Sequence, residues 1–238
     1  MNPTFPAFIF DLDGTLVKFS AGYSHRYANI IRDVFRSYEI EPDEEFIKRI
    51  ELYGDFEAII DLIGDRWAEY FWFRVEAADF ALRKELMAAG EITIMPGALE
   101  VLGMLLEILP PNRPLSLLSN THPPSAFWEM WQFNLLPYFK RIYLLNWNFS
   151  VAKPDPSALI DCIGEYDQIC SFPVVYVGDS AGDAEMIHRA CGLHPELPVT
   201  LVQVSPAGVC PYREDISCHL IEDLRMLPDV ARQIISQS

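Results

Sequence analysis

Five short apolar runs constrain this chain more than any other feature: Phe5–Phe10, Leu115–Leu118, Ile142–Leu145, Val174–Val177 and Val199–Val204. Each is bounded by turn-forming or polar residues, the pattern of a strand buried on both faces. Helical stretches lie between several of them, and this alternation predicts βαβ units on a parallel sheet, an α/β fold. The first run stands apart from the rest, because a helical block covers residues 18–91. The simplest organisation is an α/β domain of residues 1–17 and 92–238, interrupted by an inserted α-helical domain of residues 18–91. Hinges are expected near Ser20–Gly22 and Glu91–Pro96, where small, polar or Pro-Gly residues cluster.

Within the insertion, Tyr27, Ile30, Ile31, Val34, Phe35 and Tyr38 form one continuous apolar helical face. Pro42, Asp43 and Glu44 mark the start of a second helix, with acids suited to its positive end. A long helix is predicted from about Asp65 to Ala89, stopping near Gly90. Its aromatic belt of Trp67, Tyr70, Phe71, Trp72 and Phe73 covers more than one face. Such a belt is expected to be mostly core; the competing reading is an apolar wall for a substrate or a second subunit.

Composition narrows the function classes. Half of the 238 residues are hydrophobic, which supports a substantial core. The net charge of −16 argues against a nucleic acid polymer or an anionic membrane as partner. The segment 18–91 carries 10 basic and 16 acidic side chains and has no basic stripe. No run of about 20 apolar residues predicts a membrane span, and no secretory signal pattern is visible. Cys162, Cys170, Cys191, Cys210 and Cys218 are odd in number and form no CxxC pair, so reduced thiols in a cytoplasmic protein are expected.

In an open α/β sheet, ligands sit beyond the carboxyl ends of the strands. The first run ends in "DLDGT", delivering Asp11 and Asp13. The second ends in Ser119 and Asn120, and the fourth in Gly178 and Asp179, with Asp183 four residues on. Lys153 follows the third run after a loop. Alone, each is more often a cap, a turn or a surface lysine. Together they gather carboxylates, an ammonium and a hydroxyl at one sheet edge. Carboxylates so concentrated require compensation, which Mg²⁺ supplies through oxygen ligands while also taking phosphate oxygens.

The set "DLDGT", "SNT", "KPD" and "GDSAGD", in this order, resembles the four motifs of the haloacid dehalogenase superfamily. The helical insertion resembles the cap of its phosphoglycolate phosphatase and β-phosphoglucomutase branch. The resemblance implies a Rossmann-like core and a Mg²⁺-dependent phosphatase acting on a small phosphorylated metabolite. It implies that Asp11 is the nucleophile, forming an aspartyl-phosphate, and Asp13 the general acid and then base. Ser119, Asn120 and Lys153 are implied to bind phosphate, Lys153 also neutralising charge in catalysis. Asp11, Asp13 (through its carbonyl), Asp179 and Asp183 are implied to hold the metal. The second acid, Asp13, separates the chain from the dehalogenases proper. A phosphomutase using the same intermediate, and a non-catalytic binding protein of this fold, are the alternatives. Tyr23, His25, Arg26, Arg66, Trp67, Arg74 and His122 are candidate substrate contacts, although a structural role is the commoner one for each. Lys18 and Lys48 carry no mark of a Schiff-base lysine, and either a monomer or a homodimer fits.

Overall fold

The computed structural model describes residues 5–53, 63–111, 115–144, 152–164, 172–204, 210, 212 and 214–237, with only the backbone at 49–53, 65–68 and 237. Six parallel strands form the main sheet: β1 (Ala7–Phe10), β4 (Leu115–Ser119), β5 (Phe139–Leu144), β6 (Val174–Gly178), β7 (Val199–Val204) and β8 (Ser217–Ile221). Their spatial order is β5-β4-β1-β6-β7-β8. This is the Rossmann-like α/β arrangement. Strand β1 is central, with Phe10 beside Leu117 on one flank and Val177 on the other. Chain order runs outward from β1 to β5, then returns to continue through β6 on the opposite side. The sheet therefore reverses direction next to β1, where such folds open a ligand crevice.

Strand β1 is buried along its whole length, as its uninterrupted apolar sequence requires. Ala7 and Ile9 join a core with Leu159, Ile163, Tyr176 and Ile187. That core includes side chains of helices α6 (Pro156–Gly164) and α7 (Ala181–Leu193). Phe8 and Phe10 alternate to the opposite face, where Phe10 meets Phe139 edge-on at 6.0 Å. Helices α4 (Ala98–Ile108), α5 (Pro123–Gln132) and α8 (Leu227–Gln237) complete the main unit.

The chain divides into two compact units, one chiefly of Met1–Lys18, Ile94–Leu145 and Ser150–Ser238, the other chiefly of Phe19–Thr93. The two crossings between them pair as a ribbon of β2 (Val17–Phe19) and β3 (Ile92–Ile94). The second unit holds helices α1 (Tyr23–Arg36), α2 (Glu44–Tyr53) and α3 (Asp65–Ala88). Asp43 caps α2 by accepting from the Phe46 amide at 2.7 Å. Gly90, in the left-handed region at φ 74°, ends the run of α3.

The aromatic belt of α3 divides. Phe71 and Trp72 are buried, Phe71 lying 4.4 Å from the Phe35 ring on α1, whereas Tyr70 and Phe73 are both 54% exposed. The Trp67 side chain lies outside the described residues. Four cysteines, Cys162, Cys191, Cys210 and Cys218, are free thiols; Cys170 lies outside the described residues. Among the described residues, no helix is long and apolar enough to cross a membrane.

Candidate active site

Strand β1 continues its ladder one residue past its end, Asp11 N–H donating to the Val177 carbonyl at 2.9 Å. The loop then closes tightly: Gly14 N–H donates to Val17 O at 2.7 Å, and Leu16 and Val17 N–H both return to Leu12 O. Asp11 is thereby held, almost fully buried, at the carboxyl end of the central strand, and Asp13 follows half-buried. From β6 on one side, the chain delivers Asp179 and then α7. From β4 on the other, it delivers buried Ser119, whose Oγ lies 3.0 Å from Thr121 Oγ1. The register of β1 with β4 and β6 brings Asp13 and Ser119 to the same sheet edge as Asp11 and Asp179.

Asp11, Asp179 and Asp183 each present a carboxylate oxygen within 4.8 Å of the others. Lys153 enters this group from the segment after β5, with Nζ 2.7 Å from Asp11 Oδ1 and 2.8 Å from Asp183 Oδ1. Tyr176 completes it from below, its hydroxyl donating to Asp183 Oδ1 at 2.8 Å. Asp183 opens α7 in a reciprocal cap: its N–H donates to Ser180 Oγ at 3.1 Å, and Ser180 N–H and Oγ–H both donate to Asp183 Oδ2. Asp179 Oδ1 accepts from Thr15 at 2.9 Å. Its Oδ2 lies so near the loop that a Cβ on Gly14 would stand 2.1 Å away, and Gly14 has φ +80°. Only glycine permits both the turn and the approach.

The electrostatics are unbalanced toward negative charge. Burial raises the Asp11 pKa to about 7; Lys153 opposes the shift, while Asp183 and Asp13 add to it. Burial, then Asp11 and Asp183, raise that of Asp179 to about 8. For Asp183, burial pulls upward but is outweighed by Lys153 and the Ser180 and Tyr176 hydrogen bonds, so its pKa falls below the usual value. Burial works against the Lys153 ammonium, yet Asp11 and Asp183 raise its pKa and keep it charged. Burial, with Asp183 and Asp11, pushes the Tyr176 phenol well up, so it stays a donor. One ammonium thus faces three clustered carboxylates. A hard divalent cation with oxygen ligands fits this donor set: it would neutralise Asp11 and Asp179, whose ionised forms are the disfavoured ones.

The other sequence candidates are distributed differently. The Asn120 carboxamide is engaged with the Lys153 main chain. Tyr23 donates to Asp79 at 2.8 Å, Arg26 pairs with Glu91 at 3.6 Å, and Arg74 donates to Ser37 Oγ, all inside the second unit. His25 is exposed, and His122 stands at the N-terminus of α5. Arg66 and Trp67 lie outside the described side chains. Three contributors were not singled out from sequence: Thr15, Ser180 and Tyr176. Ser180 had a signal in the S-x-x-D spacing that precedes an apolar helix. Tyr176 offered a weaker one, a phenol inside a fully buried strand that needs a hydrogen-bond partner.

A family model for hydrolases, haloacid dehalogenase-like hydrolase, matches residues 5–190. The chain belongs to the haloacid dehalogenase-like hydrolase family. Solved structures agree on the fold. A provisionally assigned phosphoglycolate phosphatase from Lactobacillus plantarum superposes with a TM-score of 0.66 at 17% identity, covering 95% of this chain and 99% of that one. CbbY from Rhodobacter sphaeroides, solved in complex with phosphate, gives 0.65 at 16% identity, with 94% and 96% covered. A provisionally assigned β-phosphoglucomutase from Thermotoga maritima gives 0.58 at 20% identity, with 97% and 100% covered. Comparison with curated protein sequences gives no significant match. As a member of this family, the chain combines a hydrolase fold with a three-aspartate cluster at the sheet edge.

Proposed function

We propose that the protein is a Mg²⁺-dependent phosphatase acting on a small organic phosphate monoester. The observation that carries this reading is the meeting of Asp11, Asp179 and Asp183 with Lys153 beside the sheet's reversal point. Asp11 and Asp179, with the Asp13 carbonyl, would hold the cation. Both Asp183 oxygens already accept protein hydrogen bonds, which suits outer support better than direct ligation. A bound Mg²⁺ supplies charge neutralisation for Asp11 and for the substrate phosphoryl oxygens.

The Asp11 carboxylate attacks phosphorus, and the ester P–O bond breaks as Asp13 gives its proton to the departing alkoxide. Water then attacks the aspartyl-phosphate; Asp13 takes the water proton, and inorganic phosphate leaves with Asp11 restored. Ser119 Oγ and the backbone N–H groups around Asn120 bind phosphoryl oxygens. Lys153 balances the charge shared between phosphate and Asp11. Asp11 must be ionised to attack, so Lys153 and the cation act by lowering a pKa that burial alone raises. The unit Phe19–Thr93 is proposed to serve as the cap and the rest as the catalytic core.

The deciding experiment measures inorganic phosphate release from an aryl phosphate and a panel of phosphorylated metabolites, with Mg²⁺ and with EDTA. Multiple-turnover release dependent on Mg²⁺ is expected, and its loss in Asp11→Asn. Sugar phosphate isomerisation without net phosphate release would point to a mutase instead. An inert wild type over the whole panel would end the enzyme reading.

A further inference from the structure

Lys153 is fixed from two directions. Its ammonium is held by Asp11, Asp183 and the Tyr176 hydroxyl, the last at 3.3 Å. Its main chain is held by one side chain. Asn120 Oδ1 accepts from the Lys153 N–H at 2.8 Å, and Asn120 Nδ2 donates to the Lys153 carbonyl at 2.8 Å. The carboxamide thus pairs with both backbone groups of a single residue, as a neighbouring strand would. It binds the end of β4 to a segment 33 residues away.

We propose that the Asn120 side chain is a positioning residue for Lys153, setting where its ammonium meets Asp11 and the phosphoryl group. A carboxamide is the one short side chain that offers an acceptor and a donor side by side. Ser or Thr at this position could satisfy the N–H or the carbonyl but not both at this span. The next residue along β4's exit, Thr121, is engaged with Ser119 instead. The carboxyl end of β4 therefore splits its work: Ser119 and the backbone are left for the anion of the proposed site, while the Asn120 carboxamide is taken up by the Lys153 main chain. This differs from a direct phosphate contact, because the Asn120 side chain acts only through Lys153.

The inference rests on the proposed phosphate site, and the test separates the two. The affinity of inorganic phosphate is measured by calorimetry on the full chain with saturating Mg²⁺. The proteins are wild type, Asn120→Ala, Lys153→Met and the double variant, with Mg²⁺ binding measured in parallel. Asn120→Asp, equal in shape but unable to donate to the Lys153 carbonyl, is carried as a second variant in case Asn120→Ala does not fold. Misplacing the lysine by about 1 Å should cost on the order of tenfold to a hundredfold in phosphate affinity or turnover. The expected result is that Asn120→Ala weakens phosphate but leaves Mg²⁺ affinity unchanged, and that the double variant is no weaker than Lys153→Met. A purely structural role would weaken Mg²⁺ as well. Multiplicative losses in the double variant, or a wild-type phosphate affinity in Asn120→Ala, would overturn the positioning role while leaving the phosphate site standing. No phosphate binding by the wild type would remove both.

Discussion

At Gly14 the backbone takes φ +80°, and the Asp179 carboxylate occupies the space a side chain would need. A methyl group there must either displace Asp179 or open the loop that carries Asp13. The left-handed backbone alone costs an alanine about 1–2 kcal/mol. Gly14→Ala is therefore expected to fold with that modest loss by urea denaturation, yet to lose most of its divalent-cation affinity by calorimetry. Retention of wild-type affinity would mean that Asp179 is not a metal ligand. Single residues are also what the sequence shows most plainly about chemistry. Carboxylates that follow buried strands at one sheet edge need a compensating charge, so the sequence groups Asp11, Asp13 and Asp179 with Asp183. Of these, Asp11, Asp179 and Asp183 place carboxylate oxygens within 4.8 Å of one another. Tyr176 could not be grouped with them, because an aromatic inside "VVYV" reads as core and gives no sign of which atom its hydroxyl meets. The Asn120 side chain likewise gives no local sign of its partner, Lys153, which lies 33 residues along the chain.

Among the elements, the five apolar runs all fall in strands, and burial on both faces, which needs no partner to be read, accounts for all but the third. Edge strand β5 is half-buried over Ile142–Leu144, and Leu145 lies outside the described residues. Strand β8 was not expected. Its "SCHLI" is polar or half-buried except at Ile221, as an edge position allows. The ribbon of β2 and β3 is three residues a side, too short for any periodicity. Strand order was not legible either, since it is fixed by long-range packing. Helix α3 shows the same divide. Its aromatics announced a buried helix, but which of them face inward depends on α1, and Tyr70 and Phe73 turned outward. The same helix buries Asp79 and Arg83, four residues apart and bonded at 2.7 Å. Arg83 also lies over the Phe19 and Tyr23 rings at 4.9 and 5.2 Å. Removing one member of such a pair strands the other, at about 3–5 kcal/mol. Arg83→Met should destabilise the protein by that order in chemical denaturation, and adding Asp79→Asn should recover part of the loss. A double variant as unstable as the sum of the singles would show that the charges are not coupled.

For the whole molecule, the site makes stability depend on pH and on cations together. Asp11 and Asp179 carry pKa values of about 7 and 8 when folded, against an ordinary 3.8. The folded chain thus holds protons that the unfolded chain has released between about pH 4 and pH 8. Stability from this source is present at pH 5 and is lost as pH rises through 7 and 8, the reverse of a salt-bridged carboxylate. The charged and titratable groups facing these acids are Lys153, Asp183, Asp13 and Tyr176, and Thr15 adds a hydrogen bond to Asp179. Of the four, the lysine alone offsets the new charge, and it stays protonated throughout. A divalent cation competes with those protons for the same oxygens, so it should stabilise the protein most where the protons are gone. Cation-stripped protein is expected to melt at lower temperature at pH 8 than at pH 5, and Mg²⁺ to raise the Tm far more at pH 8. The background charge of −16 contributes a pH dependence of its own. Asp179→Asn separates the two, since it keeps nearly all of that charge but removes one titrating oxygen pair. In this variant both the fall in Tm between pH 5 and 8 and the pH dependence of the Mg²⁺ shift should shrink. A Mg²⁺ shift equal at both pH values in the wild type would show that the cation does not displace protons from Asp11 and Asp179. The cluster would then be an acid network of the fold rather than a metal centre.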